Sequence, residues 1–187
     1  MNAALLLIDV QESFRHRPYF TARDLPAYLQ AQNALVQGCE RAAIPIVRVF
    51  HVDADDGANN PFALESGYVR PMAGLVDIEP AAEFHKRRHS ALIGSGLDVW
   101  LTQHGIGKLI VSGIRTEQCC ETTTRHASDL GYAVDYVLEA TLTFDMQHAD
   151  GSMFTAAQIR QRTASVLERR FAQIRTVEQA LEDLPKY

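Results

Sequence analysis

Continuous apolar runs recur along the chain at strand length and end at polar or turn-forming residues. The clearest are "AALLLID" near the N-terminus and "KLIVSG" and "YAVDYVLEA" in the second half. Such runs are typical of strands buried on both faces, as in a parallel sheet. With the weaker runs "AAEFHK" and "QIRTV" they predict six strands, at 3–9, 44–51, 81–86, 108–113, 132–140 and 173–177.

Segments with helical spacing of apolar residues stand between these strands, and their apolar stripes place Cys39 and Trp100 in the core. The predicted helices cover 24–43, 97–104, 116–130, 155–171 and 178–184. Strands that alternate with helices imply right-handed crossovers and a parallel sheet covered on both sides. We therefore expect one doubly wound, Rossmann-like α/β domain over residues 1–187.

Composition and charge narrow the function classes. Of the 187 residues 47% are hydrophobic, and the formal net charge of -5 with no clustered Lys and Arg excludes the basic surface that nucleic acid requires. No G-x-G-x-x-G follows the first strand, which argues against nucleotide binding. The first apolar run has no positive region before it and is too short to span a bilayer. We expect a cytoplasmic protein with no membrane partner.

Three residues whose side chains can act as an acid, a base or a nucleophile lie at or just past the carboxyl ends of predicted strands. Asp9 closes the first strand, Lys86 closes the third, and Cys119 lies just past the fourth. Each alone is better explained as a turn or cap residue, a surface charge or a small core residue. Ligands of open parallel sheets bind at this edge, however. We expect the three side chains to project there together.

Two of the three cysteines are adjacent, and the odd total argues against a disulfide framework. On a helix that begins near Thr116, Cys120 lies on the apolar stripe, and Cys119 lies about 100° away on a more polar line. Cys119 also falls in the first turn, where free N–H groups and the helix dipole lower the pKa of a thiol. Cys119 is therefore the candidate nucleophile.

These residues stand in three ordered motifs that resemble those of the isochorismatase-like cysteine hydrolases. The motifs are D-x-Q in "LLLIDVQESF", K-x-x-x-S-A in "KRRHSAL" and G-x-x-T-x-x-C in "GIRTEQCCETTTRHA". The similarity covers nearly the whole chain. It implies a three-layer α/β/α sandwich with a six-stranded parallel sheet and a catalytic triad of Asp9, Lys86 and Cys119. It also implies a small-molecule substrate, no cofactor and a homo-oligomer.

The chemistry that the resemblance implies is covalent catalysis on a C–N bond of amide or ureido type. Asp9 would take the thiol proton, Cys119 would attack the carbonyl carbon to form a thioester, and Lys86 would hold the pair in its charged form. The backbone N–H groups of Arg115 and Cys119 would form the oxyanion hole, helped by a cis peptide between Ile114 and Arg115.

The sequence departs from the nicotinamidase relatives at their metal site. Those relatives carry an Asp-x-His pair after the second strand, whereas here the apolar Val49 stands at the Asp position before His51. His51 with Asp53, Asp55 and Asp56 is better explained as part of a solvated acidic loop. We expect no metal, since ligand number and geometry rather than a lone His make a site.

Substrate contacts are assigned from residue type. Arg115 and Arg87 are candidates for binding a substrate carboxylate, because guanidinium binds carboxylates bidentately, although salt bridging at the surface or at a subunit interface explains them at least as well. Phe14, Phe50 and Tyr68 are candidate pocket walls.

Two other functions stay open at this stage. Within the same family, hydrolysis of a vinyl ether such as isochorismate would use Asp9 as an acid and would not need the thiol. A protein that keeps the fold for ligand binding or assembly is the second alternative, since fold does not fix function. The intact motif positions favour an enzyme.

Overall fold

A parallel sheet forms the centre of the molecule, and the structure, a computed structural model, describes residues 2–53 and 59–184. The strands of the described part are β1 Asn2–Ile8, β2 Ile46–His51, β3 Ala82–Lys86, β4 Ile106–Ile114, β5 Ala133–Leu142, β6 Met146–Gln147, β7 Met153–Phe154 and β8 Gln173–Arg175. Six of them form one sheet in the order β3-β2-β1-β4-β5-β8, with every neighbouring pair parallel. The six predicted strands and the doubly wound α/β class are confirmed.

Helices cover both faces of this sheet. They are α1 Leu25–Arg41, α2 Leu97–Gln103, α3 Glu121–Asp129, α4 Ala156–Leu167 and α5 Val177–Glu182. Side chains of β1 alternate between the two cores, with Leu5 and Leu7 facing α1 and α5, and Leu6 and Ile8 facing α2, α3 and α4. This alternation follows from the two-residue period of a strand, and it gives the three-layer α/β/α sandwich. No helix of the described residues is long and apolar enough to cross a membrane.

Local details differ from the sequence pattern at several points. The segment that begins at Thr116 opens with a π-helical turn, Thr116–Cys120, before α3 begins. Trp100 packs against the core that contains α2 but is only partly buried, and its ring stacks on His104 at 4.0 Å between centroids. The pattern also missed β6 and β7, which pair as a short antiparallel hairpin, because two-residue strands are too short to show a period.

The close approach of β4 to β1 requires a glycine. Gly113, the glycine of the third motif, has φ +130, and a Cβ added there would lie 1.9 Å from the backbone oxygen of Ile8. Only glycine tolerates both the conformation and the contact. The contact lies one residue before Asp9, where the chain order of the sheet reverses between β1 and β4. Ligands of doubly wound sheets bind at such reversal points.

Candidate active site

Asp9, Lys86 and Cys119 come together at the carboxyl edge of the sheet, as the strand-end positions predict. Asp9 follows β1, Lys86 ends β3, and Cys119 lies in the π-helical turn after β4. The Nζ atom of Lys86 lies 2.8 Å from Oδ2 of Asp9 and 3.3 Å from Sγ of Cys119. Asp9 and Lys86 are fully buried, and Cys119 is 7% exposed.

The charges of this cluster act strongly on one another because the three side chains are buried. Burial alone lowers the pKa of Lys86, but the Asp9 carboxylate and the Cys119 sulfur more than offset it, so the pKa lies above its ordinary value. The Lys86 ammonium is therefore charged in the folded chain. An oppositely charged neighbour at this distance, here the Asp9 carboxylate, favours the charged form in this way.

The thiol of Cys119 behaves differently from the expectation drawn from its place in the sequence. Burial raises the pKa of Cys119 above its ordinary value, the negative charge of Asp9 acts in the same direction, and Lys86 opposes both. The expected lowering by a helix N-terminus is wrong, because the sequence pattern does not reveal that the thiol is enclosed beside a carboxylate. A protonated thiol at rest needs a base, and Asp9 is the carboxylate beside it.

His51 is a member of the cluster that the sequence analysis considered as a metal ligand and then as part of a solvated acidic loop, but not as a partner of the triad. It ends β2 directly beside Lys86 in the sheet register. Its Nδ1 atom lies 3.2 Å from Nζ of Lys86, and its Nε2 atom lies 2.9 Å from Oδ1 of Asp53. The strand-end rule that selected Asp9 and Lys86 applies equally to His51 and is the signal that could have found it.

Three motif residues without a chemical role hold the site in place. Gln11 of D-x-Q donates from Nε2 to the backbone oxygen of His51 and accepts the backbone N–H of His51 at Oε1. Ser90 of K-x-x-x-S-A lies 2.9 Å from Nδ1 of His126. Thr116 of G-x-x-T-x-x-C donates to Oγ1 of Thr141. The motifs therefore describe supports as well as reacting groups.

A small cavity of about 130 Å³ opens onto Cys119. Its lining in the described chain consists of Asp9, Phe14, Arg17, Tyr19, His51, Asp53, Phe62, His89, Gln118 and Cys119. Drug-sized ligands occupy pockets of roughly 300–1,000 Å³, so this cavity suits a smaller molecule. Wider clefts of about 580 and 630 Å³ lie elsewhere on the surface, and neither is lined by a residue of the cluster.

Phe14 lines the cavity as expected, whereas Phe50 and Tyr68, the other two candidate pocket walls, do not. Phe50 precedes His51 in β2, and successive side chains of a strand point to opposite faces, so its ring turns away towards His85. The ring of Tyr68 stacks on His16 at 3.6 Å between centroids. Aromatic residue type alone could not separate these rings from the walls that the sequence missed, Tyr19 and Phe62.

The two assigned arginines are also placed away from the cavity lining. Arg87 is exposed and lines a separate surface cleft. Arg115 is buried, and its Nη2 atom lies 3.0 Å from Oε1 of Glu117, so the chain itself supplies its carboxylate partner. Its guanidinium also lies 4.9 Å from the centre of the Tyr19 ring and so backs a cavity wall. The arginine that lines the cavity is Arg17.

The backbone at the start of the cysteine turn has the form that the resemblance implies. The peptide between Ile114 and Arg115 is cis. The carbonyl oxygen of Arg115 accepts the backbone N–H groups of Gln118 and Cys120. These bonds close the π-helical turn that carries Cys119.

The described residues contain no group of three or more His, Cys, Asp or Glu side chains arranged to hold a metal ion. Both ring nitrogens of His51 are engaged, one with an ammonium and one with a carboxylate. Asp55 and Asp56, which the sequence analysis grouped with His51, lie outside the described residues.

Comparison with known proteins gives a family match along most of the chain. The Isochorismatase domain model matches residues 3–171. The isochorismatase family protein YrdC of Bacillus subtilis (strain 168) is 27% identical over 187 residues, covering 98% of this chain and 96% of that protein. Nicotinamidase 3 of Arabidopsis thaliana is 28% identical over 167 residues, covering 83% of this chain and 80% of that protein.

A solved structure shows the same fold. The crystal structure of an isochorismatase-family protein from Chromobacterium violaceum ATCC 12472 aligns with a TM-score of 0.87 at 24% identity, covering 97% of this chain and 92% of that chain.

Proposed function

Because the chain belongs to the isochorismatase family and is a hydrolase, we propose that it cleaves a C–N bond of amide or ureido type in a small molecule. Cys119 is the nucleophile, Asp9 is the general base and acid, and Lys86 is the electrostatic partner of both. The observation that carries this proposal is the position of the Lys86 ammonium, 2.8 Å from the Asp9 carboxylate and 3.3 Å from the Cys119 sulfur.

The first half of the reaction forms a thioester. Asp9 takes the proton of the Cys119 thiol, and the sulfur attacks the substrate carbonyl carbon while the carbonyl electron pair moves to oxygen. The backbone N–H groups of Arg115 and Cys119 stabilise the oxyanion. The intermediate collapses, the C–N bond breaks, and Asp9 returns the proton to the departing nitrogen.

The second half releases the product. Asp9 takes a proton from a water molecule, and the resulting hydroxide attacks the thioester carbonyl carbon. The C–S bond then breaks and the proton returns from Asp9 to the sulfur, which restores the resting site. The raised pKa of Cys119 supports this sequence, because a thiol that is protonated at rest needs a base in each cycle.

The cavity supports a compact substrate with an apolar, planar part. Its walls include the rings of Phe14, Tyr19 and Phe62, and its volume is about 130 Å³. The relative from Arabidopsis thaliana is named a nicotinamidase, which is an amidase, and this supports the bond type. Nicotinamide itself is not the proposed substrate, because Val49 replaces the acidic residue of the nicotinamidase metal site.

The test is hydrolysis of a panel of small amides and ureides by the wild type and by Cys119→Ala, with Cys120→Ala as the matched control. Cys120 is adjacent and fully buried, so its loss removes a thiol without removing the nucleophile. We expect Cys119→Ala to lose hydrolysis and the acyl-enzyme mass seen on rapid quenching, and Cys120→Ala to keep both when folded. Hydrolysis that persists in Cys119→Ala would instead assign an acid route through Asp9.

A further inference from the structure

Lys86 has a third contact that the proposed chemistry does not use. Its side chain extends from β3 across the end of β2 to reach Asp9, since β2 lies between β3 and β1 in the sheet. At that crossing it meets Nδ1 of His51 at 3.2 Å. A fully buried ammonium has three hydrogens to place, and Asp9, Cys119 and His51 are three partners for them.

The contact requires one particular form of the His51 ring. Because an ammonium only donates hydrogen bonds, Nδ1 must carry a lone pair, and the ring proton must sit on Nε2. The carboxylate of Asp53 lies 2.9 Å from Nε2, where it accepts that proton. The side chain of Asn60 donates to the other Asp53 oxygen at 2.9 Å and fixes the carboxylate. Asp53 therefore sets the tautomer of His51.

The backbone of His51 is held as firmly as its ring. Gln11 spans both backbone groups of His51 through its side-chain amide, with distances of 3.1 Å to the carbonyl oxygen and 2.8 Å to the N–H. Gln11 is fully buried and also donates to Ser13 at 2.8 Å. Because the backbone of His51 and the Nε2 atom of its ring are both held, Nδ1 stays in place as the acceptor for the Lys86 ammonium.

We propose that His51, in the tautomer set by Asp53, is a positioning residue that holds the Lys86 ammonium between Asp9 and Cys119. This inference rests on the proposed function, because it assigns how the charged partner of that chemistry is kept in place. Protonation of His51 removes the acceptor and adds a positive charge beside Lys86. The site is therefore competent only while His51 is neutral.

The surroundings of His51 favour the neutral form. Burial and the Lys86 ammonium lower the pKa of His51, and Asp9 and Asp53 partly oppose this. Cys119, Arg17 and His89 also line the cavity onto which the ring opens. The proposal predicts that the acid limb of the hydrolysis profile reports the titration of His51, and that a variant without an imidazole loses that limb.

A substrate-free test follows the reactivity of Cys119 on the full chain. Iodoacetamide labelling at pH 8, with peptide mapping, compares the wild type with Asp53→Asn, His51→Leu and His51→Asn. Asn at position 53 donates to Nε2 and so reverses the tautomer, whereas Asn at position 51 keeps an acceptor oxygen near the position of Nδ1. Asp129→Asn, at the far end of α3 from Cys119 and exposed, is the charge-matched control.

We expect Asp53→Asn and His51→Leu to slow the labelling of Cys119 by about tenfold. Without the Lys86 ammonium held beside it, the Cys119 thiol has a higher pKa, and less of it is present as reactive thiolate at pH 8. The labelling rate of His51→Asn should stay within about threefold of the wild-type rate, which corresponds to a change of less than about half a unit in the thiol pKa. Asp129→Asn should not change the rate. Wild-type rates in folded Asp53→Asn and His51→Leu would overturn the inference, and so would a His51→Asn variant as slow as His51→Leu.

A second readout keeps the inference testable if the thiol labels slowly. Nitrogen-15 NMR of the imidazole should show Nε2–H and a bare Nδ1 in the wild type, and the reverse in Asp53→Asn. An Nδ1–H form in the wild type would overturn the inference. The proposed function fails separately, when Cys119 labels normally but hydrolysis does not depend on it.

Discussion

Among the residues that the structure describes, Asp9 and Glu121 are buried carboxylates near the cysteine turn, and their surroundings are opposite. Glu121, at the start of α3, accepts hydrogen bonds from Arg125 at 3.0 Å, from Thr163 at 3.0 Å and from Arg162. The charge partner of Asp9 is the fully buried Lys86, whose Nζ atom lies 2.8 Å from Oδ2, and within the described chain no arginine or hydroxyl group donates to the Asp9 oxygens in addition.

This difference separates a structural carboxylate from a reactive one. The Glu121 oxygens are occupied, and the cations around them reach solvent, with 57% of the Arg162 side chain exposed. Asp9 has one buried ammonium partner and lines a cavity of about 130 Å³ beside the thiol. A buried carboxylate with one ammonium partner, beside a thiol and a cavity, marks where chemistry is to be expected.

The largest effect should come from removing the cation of the reactive site. Lys86→Met keeps the length of the side chain but leaves Asp9 buried without its partner. We expect kcat/KM to fall by about a thousandfold and the free energy of unfolding to fall by about 3–5 kcal/mol. Steady-state kinetics and urea unfolding measure the two effects. A folded variant with wild-type kinetics would remove the distinction between the two carboxylates.

The matching change at the structural carboxylate should affect stability alone. Glu121→Gln weakens the bonds to Arg125, Arg162 and Thr163, and we expect unfolding to become easier by about 2 kcal/mol. In the folded fraction kcat/KM should stay within about twofold of the wild type, because the Glu121 oxygens do not line the cavity. A large loss of kcat with full stability would show that Glu121 takes part in the chemistry.

Alkaline pH should act on the reactive site through its thiol. Burial raises the pKa of Cys119 above its ordinary 9.0 and that of Cys39 to about 12. Above pH 9 the unfolded chain releases these protons while the folded chain keeps them, so stability is present below the ordinary thiol pKa and is lost as the pH rises. Between the ordinary thiol pKa and the raised one, each thiol lowers the free energy of unfolding by about 1.4 kcal/mol per pH unit.

Urea unfolding between pH 8.5 and 10 measures this slope. Cys119→Ala should make it shallower, whereas Arg162→Ala, which removes no thiol, should keep it. If the free energy of unfolding falls with pH equally steeply in the wild type and in Cys119→Ala, the raised pKa of Cys119 is contradicted.

The smallest effect is expected for an exposed partner of the structural carboxylate. Arg162→Ala removes a cation whose side chain is 57% exposed, and exposed ion pairs contribute about 0–1 kcal/mol. The free energy of unfolding should fall by less than about 1 kcal/mol, with unchanged kinetics. A loss as large as that of Glu121→Gln would mean that Arg162 alone carries the stability of this cluster.

Much of this architecture is readable from the sequence, because its signals are periodic or strictly spaced. Buried runs of strand length identified all six strands of the sheet, and strand ends identified Asp9 and Lys86. Helical spacing separated Cys120, which is fully buried, from Cys119. The same reasoning did not find His51, although it ends β2, because an imidazole after a strand suggested a metal ligand first.

The sequence by itself determined the order of strands and helices, and therefore the edge of the sheet where the reactive side chains meet. The tertiary structure alone decided the electrostatics of that edge. The raised pKa of Cys119, the contact of Lys86 with His51 and the cavity walls at Tyr19 and Phe62 all depend on distances between segments far apart in the chain. Periodicity is a local property of the chain, whereas pKa values and cavity walls depend on the neighbours that folding brings within a few ångströms.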